Sequence, residues 1–513
     1  MQFQNAESLA EEQLSDGLSF SEGFRDPFSI LANYLIAGAI VAIITLLFII
    51  AQPKTCDWFI LPAIFCGILM GADVVSWLRG QIDVFDPKGL IGCVVFYGFF
   101  LAPILHVFWN YYGPHLRFHD NPQHWLLMAI AANAAGLPLY KGAQYWAYKH
   151  TGPLRTTWRV VPQRILPVLA CLAPVALGTW LYFNRLMWQS GAVEDFVSRQ
   201  MAGQGTGWAM LFGGEFLGVL LLMGLISWMI AHRMDCSWRT CAVILFIGVV
   251  AQLLLTAFIG IRGLILQGIF WIAGLIHYYW RRLSIIYLLI GFICFLPFMY
   301  FYSFYKDLMQ PEMLTSLKVI EQSKDLERVT SRNIHNVLLG DLARADVQAR
   351  IASGIASPTH DYDLRYGQTY LFALSKLIPA TIRHLFIDDP SLSSWSKGKA
   401  FIDLNEGKGF FDLETNWGTE AFGLGGEAML NFGLLGVPVA WLFFGLILGI
   451  FRRKRDTLTI HDSRWALVPF LSYWLAVTPL WDLDVIVFGT VTGGFISSLC
   501  VFLWSSRTKK EEI

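Results

Sequence analysis

The sequence predicts an all-α polytopic integral membrane protein. Three observations carry this. Of 513 residues, 55% are apolar and only 15% are charged, against about 25% charge in soluble chains. Mean hydropathy is +0.50. Apolar runs of about 18 to 24 residues recur along the chain, the length a helix needs to cross a bilayer.

The same counts exclude other classes. Lys and Arg total 38, and so do Asp and Glu, so there is no basic excess to hold a nucleic acid. Of the 8 Cys, Cys66, Cys93, Cys171, Cys294 and Cys500 lie in apolar runs, and the long polar stretch near the middle has none. No disulfide framework, Cys-type metal site or cofactor is expected.

Residues 1–28 read as a polar N-terminal tail, acidic through Glu7, Glu11, Glu12, Asp16 and Glu22, where a signal peptide would be basic and then apolar. Spans are expected near 29–51, 58–78, 89–109, 124–141, 165–184, 206–231, 240–260, 263–280, 283–304, 428–451, 465–481 and 485–504. These twelve divide the chain into a membrane domain over 29–304, a large loop over 305–427, a second membrane segment over 428–504 and a tail over 505–513.

Orientation follows from Lys and Arg in short loops. One loop carries Lys141, Lys149, Arg155, Arg159 and Arg164. Arg233 and Arg239 flank a second turn, and Arg281 and Arg282 a third. Arg452, Arg453, Lys454 and Arg455 form the densest group, and Arg507, Lys509 and Lys510 close the chain. With twelve spans all five groups share one side with both termini, which is therefore expected to be cytoplasmic. The large loop and the turn at Ile261-Arg262-Gly263 fall on the other side.

Inside the large loop a helix is expected near 333–352, with Gly354 as its stop, and another near 368–378, ended by Pro379. Residues 385–420 read as irregular. These polar segments are expected to form a cap on the outer face rather than an independent domain.

The candidate chemistry lies on that side. Arg262, between two apolar runs, fits a guanidinium meeting a lipid-linked phosphate or an arginine snorkelling to the interface. The loop adds Arg328, Arg332, Arg344, Arg350, Arg365 and Arg383. Most of these are expected to be solvated or paired. Arg344 and Arg350, set among small residues, are the expected exceptions. Glu427 stands where the loop re-enters the membrane, with Asn431 one turn on. An acid there is either functional or paired and capping, and Glu215 follows the same logic. His360-Asp361-Tyr362-Asp363 and Trp481-Asp482-Leu483-Asp484 hold acids two apart, a spacing that suits a hard cation but is also frequent in turns. No metal is expected. His106, His277 and His335 are expected to pack.

Four segments resemble the bacterial O-antigen polymerases, the Wzy-like oligosaccharide repeat-unit polymerases. Ile261-Arg262-Gly263 opens a span, like the family's Ser-Arg-Gly. Arg344-Ala-Asp346-Val-Gln348 lies in the large loop. Tyr366-Gly367 precedes an apolar helix, then Pro379 and Arg383. Glu427-Ala-Met-Leu-Asn431-Phe432-Gly433-Leu-Leu-Gly436 enters a span. The specific part covers roughly 255–450. The chain departs from the pattern at Ile261 and after Arg383, where the family's Trp-Pro and Lys-Pro are missing.

The resemblance implies a GT-C-like, metal-independent, inverting glycosyltransferase. It would join repeat units carried on undecaprenyl pyrophosphate at the outer face of the inner membrane, alongside a flippase and a chain-length regulator. Arg262 and Arg344 would neutralise the departing pyrophosphate and Glu427 would act as base. Arg350, Arg383, Arg365, Asn431 and Tyr366 would bind the pyrophosphate or glycan. A ligase moving glycan from the same carrier, and a polysaccharide or lipid transporter, remain open.

Overall fold

The computed structural model describes residues 27–52, 58–113, 116, 118, 121–164, 167–168, 170–175, 177–178, 181, 224, 237–256, 262–308, 334–356, 362–378, 394–410, 420–459 and 462–507. It is mostly helical. The elements in chain order are α1 (Pro27–Ala51), α2 (Ile60–Leu78), α3 (Pro87–Phe96), α4 (Ala102–Trp109), α5 (Pro122–His150), β1 (Trp158–Val160), α6 (Trp238–Thr256), α7 (Arg262–Tyr279) and α8 (Ile285–Leu308). The loop region holds α9 (Ala345–Ala356), α10 (Gln368–Ser375) and α11 (Lys397–Asn405). Then come α12 (Gly423–Phe432), α13 (Gly436–Asp456), α14 (Val468–Val477), α15 (Leu483–Trp504) and β2 (Ser505–Arg507), which pairs antiparallel with β1.

Among the described residues five helices are long and apolar enough to cross a membrane: α1, α2, the run Pro87–Trp109, α13 and α15. Shorter apolar helices cover Trp238–Val250, Ile265–Tyr279, Ile285–Phe298 and Val468–Val477. The expected span near 206–231 lies almost wholly outside the described residues, and that near 165–184 in part.

Local chemistry sets several boundaries. Asp86 accepts from the Lys88 amide at 2.8 Å and Pro87 follows it, so α3 starts there. Asn121 and Pro122 start α5 in the same way. A π-turn at Tyr97–Leu101 joins α3 to α4, and the Tyr97 hydroxyl reaches out to the Leu338 carbonyl at 2.6 Å.

Among the described residues the most extensive helix pairing is between α5 and α13. A Cβ added at Gly445 would sit 2.4 Å from the Tyr140 carbonyl oxygen, and one at Gly449 2.4 Å from that of Gln144. Gly445-Leu-Ile-Leu-Gly449 is thus a small-xxx-small face that lets two backbones touch. Gly445→Leu is expected to abolish accumulation of folded chain in the membrane. Gly142→Leu, where the added Cβ meets nothing within 4 Å, should accumulate as wild type does.

Among the described residues two large apolar clusters organise the bundle, beside two small ones. The larger joins Val41, Cys66, Ile91, Leu126 and Trp441 of the long helices with Ala349, Leu404, Phe422 and Met429 of the loop region. α9, α11 and α12 therefore share one core with the membrane helices. The second gathers Phe85, Trp271, Phe470, Trp474 and Trp504.

The structure corrects four expectations. Residues 333–352 are not one helix: a π-turn at Asn336–Asp341 precedes α9, and Gly354 lies inside α9 rather than stopping it. It stays there because it packs flat against Leu404, whose Cγ would lie 2.5 Å from an added Cβ. Residues 385–420 are not irregular throughout, because Ser396 caps α11 by accepting from the Lys399 amide at 3.2 Å. The run 428–451 is broken. Gly433, at φ +69°, ends α12 and a new helix begins at Gly436, so Glu427 and Asn431 ride on a separate short helix. The basic cluster at 452–455, expected in a short loop, lies in the last turns of α13. Arg452 and Arg455 are buried on Asp86.

Candidate functional site

The ends of the bundle differ. At one end Asp86 meets Arg452 and Arg455, Asp83 meets His277, Tyr278 and Arg282, and Asp73 meets Lys141 and Lys88. At the other end the loop helices dock. There the Gly113 amide donates to Asp346 at 3.2 Å. That second end also holds most of the described residues picked out from the sequence.

A chain of buried hydrogen bonds runs into it. Trp441 Nε1 donates to Asn133 Oδ1 at 2.9 Å, and Asn133 Nδ2 donates to Gln348 Oε1 at 2.8 Å. Gln348 Nε2 donates to the Phe422 carbonyl at 3.1 Å, and the Phe422 amide donates to Asp482 Oδ1 at 2.7 Å. Asp482 Oδ2 holds Lys397 Nζ at 2.6 Å. Helices α5, α13, α9, α12, α15 and α11 are thus tied by one polar path. Gly423, at φ +69°, makes the path fit, because an added Cβ would lie 2.2 Å from the Pro479 carbonyl oxygen.

Glu427 sits at the centre, 2% exposed. Its Oε1 accepts from the Thr369 hydroxyl at 2.8 Å, and its Oε2 from the Leu483 amide, the first of α15, at 2.6 Å. Burial, then the charge of Asp482, pushes its carboxyl up to about 8. Burial also raises Asp482, despite the opposing ammonium of Lys397. A carboxyl whose folded pKa lies above its ordinary 4.5 adds stability below that value, and the contribution is lost as pH climbs through about 8. The melting temperature of wild type relative to Glu427→Gln is therefore expected to fall between those limits, as read from paired thermal melts over a pH series.

Asn431 arranges the neighbouring turn. Its Nδ2 donates to Thr369 Oγ1 at 2.7 Å and its Oδ1 accepts from the Gly367 amide at 2.9 Å. The Arg365 and Tyr366 amides donate to the Leu430 and Asn431 carbonyls, which α12 leaves open at its end. This holds Tyr366 at φ +44° and Gly367 at φ +90°, a conformation that costs a non-glycine residue about 1 kcal/mol or more. The result turns the Tyr366 ring out to 76% exposure.

The arginines divide. Arg365 pairs with Asp403, which also takes Lys399 at 3.0 Å, and its buried Nε is left without a partner. Arg344 contacts Glu420 at 3.4 Å, leaving its buried Nε without a partner. Arg350 is wholly buried. It gives one hydrogen bond, from Nη2 to the Leu404 carbonyl at 3.1 Å, while Nε and Nη1 have none. Burial lowers its guanidinium to about 10.

Arg262 begins α7 next to Gly263, whose carbonyl accepts from the Tyr473 hydroxyl at 2.9 Å. Arg383, Arg328, Arg332, Glu215, His360 and Asp361 lie outside the described residues. Asp482 and Asp484, spaced for a cation, receive ammonium groups instead: Lys397 lies 3.3 Å from Asp484 and Lys376 2.8 Å from it. The lysines were missed because they come from helices far off in sequence. The Asp-Leu-Asp spacing at the head of a span was their only signal.

No protein-family model matches the chain, and no curated protein or solved structure matches it.

Proposed function

We propose that the chain polymerises undecaprenyl-pyrophosphate-linked oligosaccharide repeat units into a surface polysaccharide at the outer face of a bacterial inner membrane. In this reading twelve spans place both termini in the cytoplasm, and the end of the bundle holding Glu427 faces outward. Glu427 takes the proton of the attacking sugar hydroxyl. Arg262, Arg344 and Arg350 oppose the charge on the departing pyrophosphate, with Arg383 as helper.

One observation carries the proposal. Three of the four segments that resemble polymerase motifs, far apart in sequence, converge on one polar network. Gln348 bonds the backbone of α12, Gly367 bonds Asn431, and Glu427 lies between Thr369 and Leu483. Two details sharpen it. Arg350 keeps two unmatched nitrogens, suited to an anionic group brought by substrate. Asn431 braces Thr369 and the Gly367 turn that presents Tyr366, and Arg365, anchored on Asp403, keeps a buried Nε open toward glycan or pyrophosphate.

The test is the electrophoretic profile of surface polysaccharide from cells lacking this gene, complemented with wild type, Arg262→Ala or Glu427→Gln. Loss of the long-chain ladder with single repeat units still exported is expected, and neither variant should restore it. An unchanged ladder in the deletion strain would remove the reading. Loss of every glycan-bearing acceptor, single units included, would favour the ligase.

A further inference from the structure

Charge balance around Glu427 leads to a statement about its proton. Three carboxyl groups are buried together: Glu427, Asp482 and Asp484, none more than 3% exposed. Two ammonium groups reach them. Lys397 lies 2.6 Å from Asp482 and 3.3 Å from Asp484, and Lys376 lies 2.8 Å from Asp484. If all five were ionised, one negative charge would remain in excess away from water, where such a charge is costly.

The geometry identifies which acid gives way. Both aspartates touch ammonium groups. Glu427 touches only neutral donors, the Thr369 hydroxyl and the Leu483 amide. The other groups facing it do not supply the missing charge. From α10 comes the phenol of Tyr370, which feels the charge of Glu427, and from α11 Lys397, already counted, feels that charge too but bonds Asp482. A proton on Glu427 reverses the Thr369 bond: the carboxylic O–H donates to Oγ1, whose second lone pair still accepts from Asn431 Nδ2.

We propose that Glu427 is a proton-binding site, a neutral carboxylic acid at neutral pH, held so because Asp482 and Asp484 take both available lysines. Lys376 and Lys397 act as positioning residues: they fix which carboxyl carries the proton. The upward displacement of Glu427 agrees with this.

A consequence follows, and it alone rests on the polymerase reading. When the sugar hydroxyl attacks, its oxygen bonds to the anomeric carbon. The bond from that carbon to the pyrophosphate oxygen breaks, the electron pair leaves with the pyrophosphate, and the hydroxyl proton passes to Glu427. The described structure is then the proton-loaded form. It must release the proton to solvent before the next transfer, so the transfer rate rises with pH.

Infrared spectroscopy of the full chain in lipid nanodiscs tests the proton directly, by the carboxylic-acid C=O absorption. Wild type at neutral pH is expected to show an absorption that Glu427→Gln lacks. Asp482→Asn leaves two carboxyls for two lysines, so it should lose the same absorption at neutral pH and regain it on acidification, although Glu427 is intact. Asp484→Asn makes the same change in balance and serves if Asp482→Asn does not fold. A wild-type spectrum without a Glu427-dependent absorption at neutral pH would overturn the proposal. So would an absorption unmoved by either asparagine variant. The polysaccharide ladder is independent: its persistence in the deletion strain removes the polymerase reading and leaves the infrared result standing.

Discussion

Asp86→Ala is expected to remove the folded protein from the membrane. Asp86 is 1% exposed and serves two buried guanidiniums. Arg452 grips it through Nε at 3.0 Å and Nη2 at 3.0 Å, and Arg455 through Nη2 at 2.8 Å. It also caps α3 through the Lys88 amide. Burial alone would push this carboxyl up, but the two arginines hold it well below the usual carboxylate range. Removing it leaves two cations in the core with one partner lost. Breaking one buried pair costs about 3 to 5 kcal/mol, and the lost cap adds about 1 kcal/mol. A domain is stable by only about 5 to 15 kcal/mol. Asp86→Asn keeps the cap and loses the charge, so it should fall between. Membrane abundance and monodispersity in detergent measure both. An Asp86→Ala protein as abundant and monodisperse as wild type would show that this lock is dispensable.

That lock also shows what a sequence can display. Arg452 to Arg455 are visible as a basic cluster after an apolar run, and that pattern reports loop charge. It does not report that α3 starts with an acid able to reach two of the four. The partner is 366 residues away, so only the packing of α5, α13 and α3 reveals it. The outer network behaves likewise. Glu427 and Asn431 were legible because polar residues in an apolar run are costly unless satisfied. Lys397 was not legible. It lies in Ser-Lys-Gly-Lys, polar sequence that reads as surface, and it is buried only because Asp482 draws it in. Helix boundaries near Gly433 were missed for a similar reason. Hydropathy does not change across Asn431 to Val437, and the break is made by one glycine at positive φ.

Arg350→Met is expected to raise stability and abolish polymer formation. The two effects have one cause. In the described structure the guanidinium has a single hydrogen bond, to Leu404, and no carboxylate partner. A buried cation so poorly matched is a cost, and replacing such groups by apolar residues of like volume is often neutral or stabilising by about 1 to 4 kcal/mol. Gly354 adds to the confinement: a Cβ there would lie 3.0 Å from Nη1, which leaves the head group little room to turn away. A cost of this kind persists where the group has work to do. Under the polymerase reading that work is to meet the pyrophosphate, and losing one such donor costs about 100- to 1,000-fold in rate. Arg350→Lys should keep the charge but not the planar fork, and so restore little. Thermal melts and the polysaccharide ladder read the two effects separately. A Met variant that melts higher and still polymerises would strip Arg350 of its role. One that melts markedly lower would mean the guanidinium stabilises the cap and that its unmatched nitrogens mark no binding role.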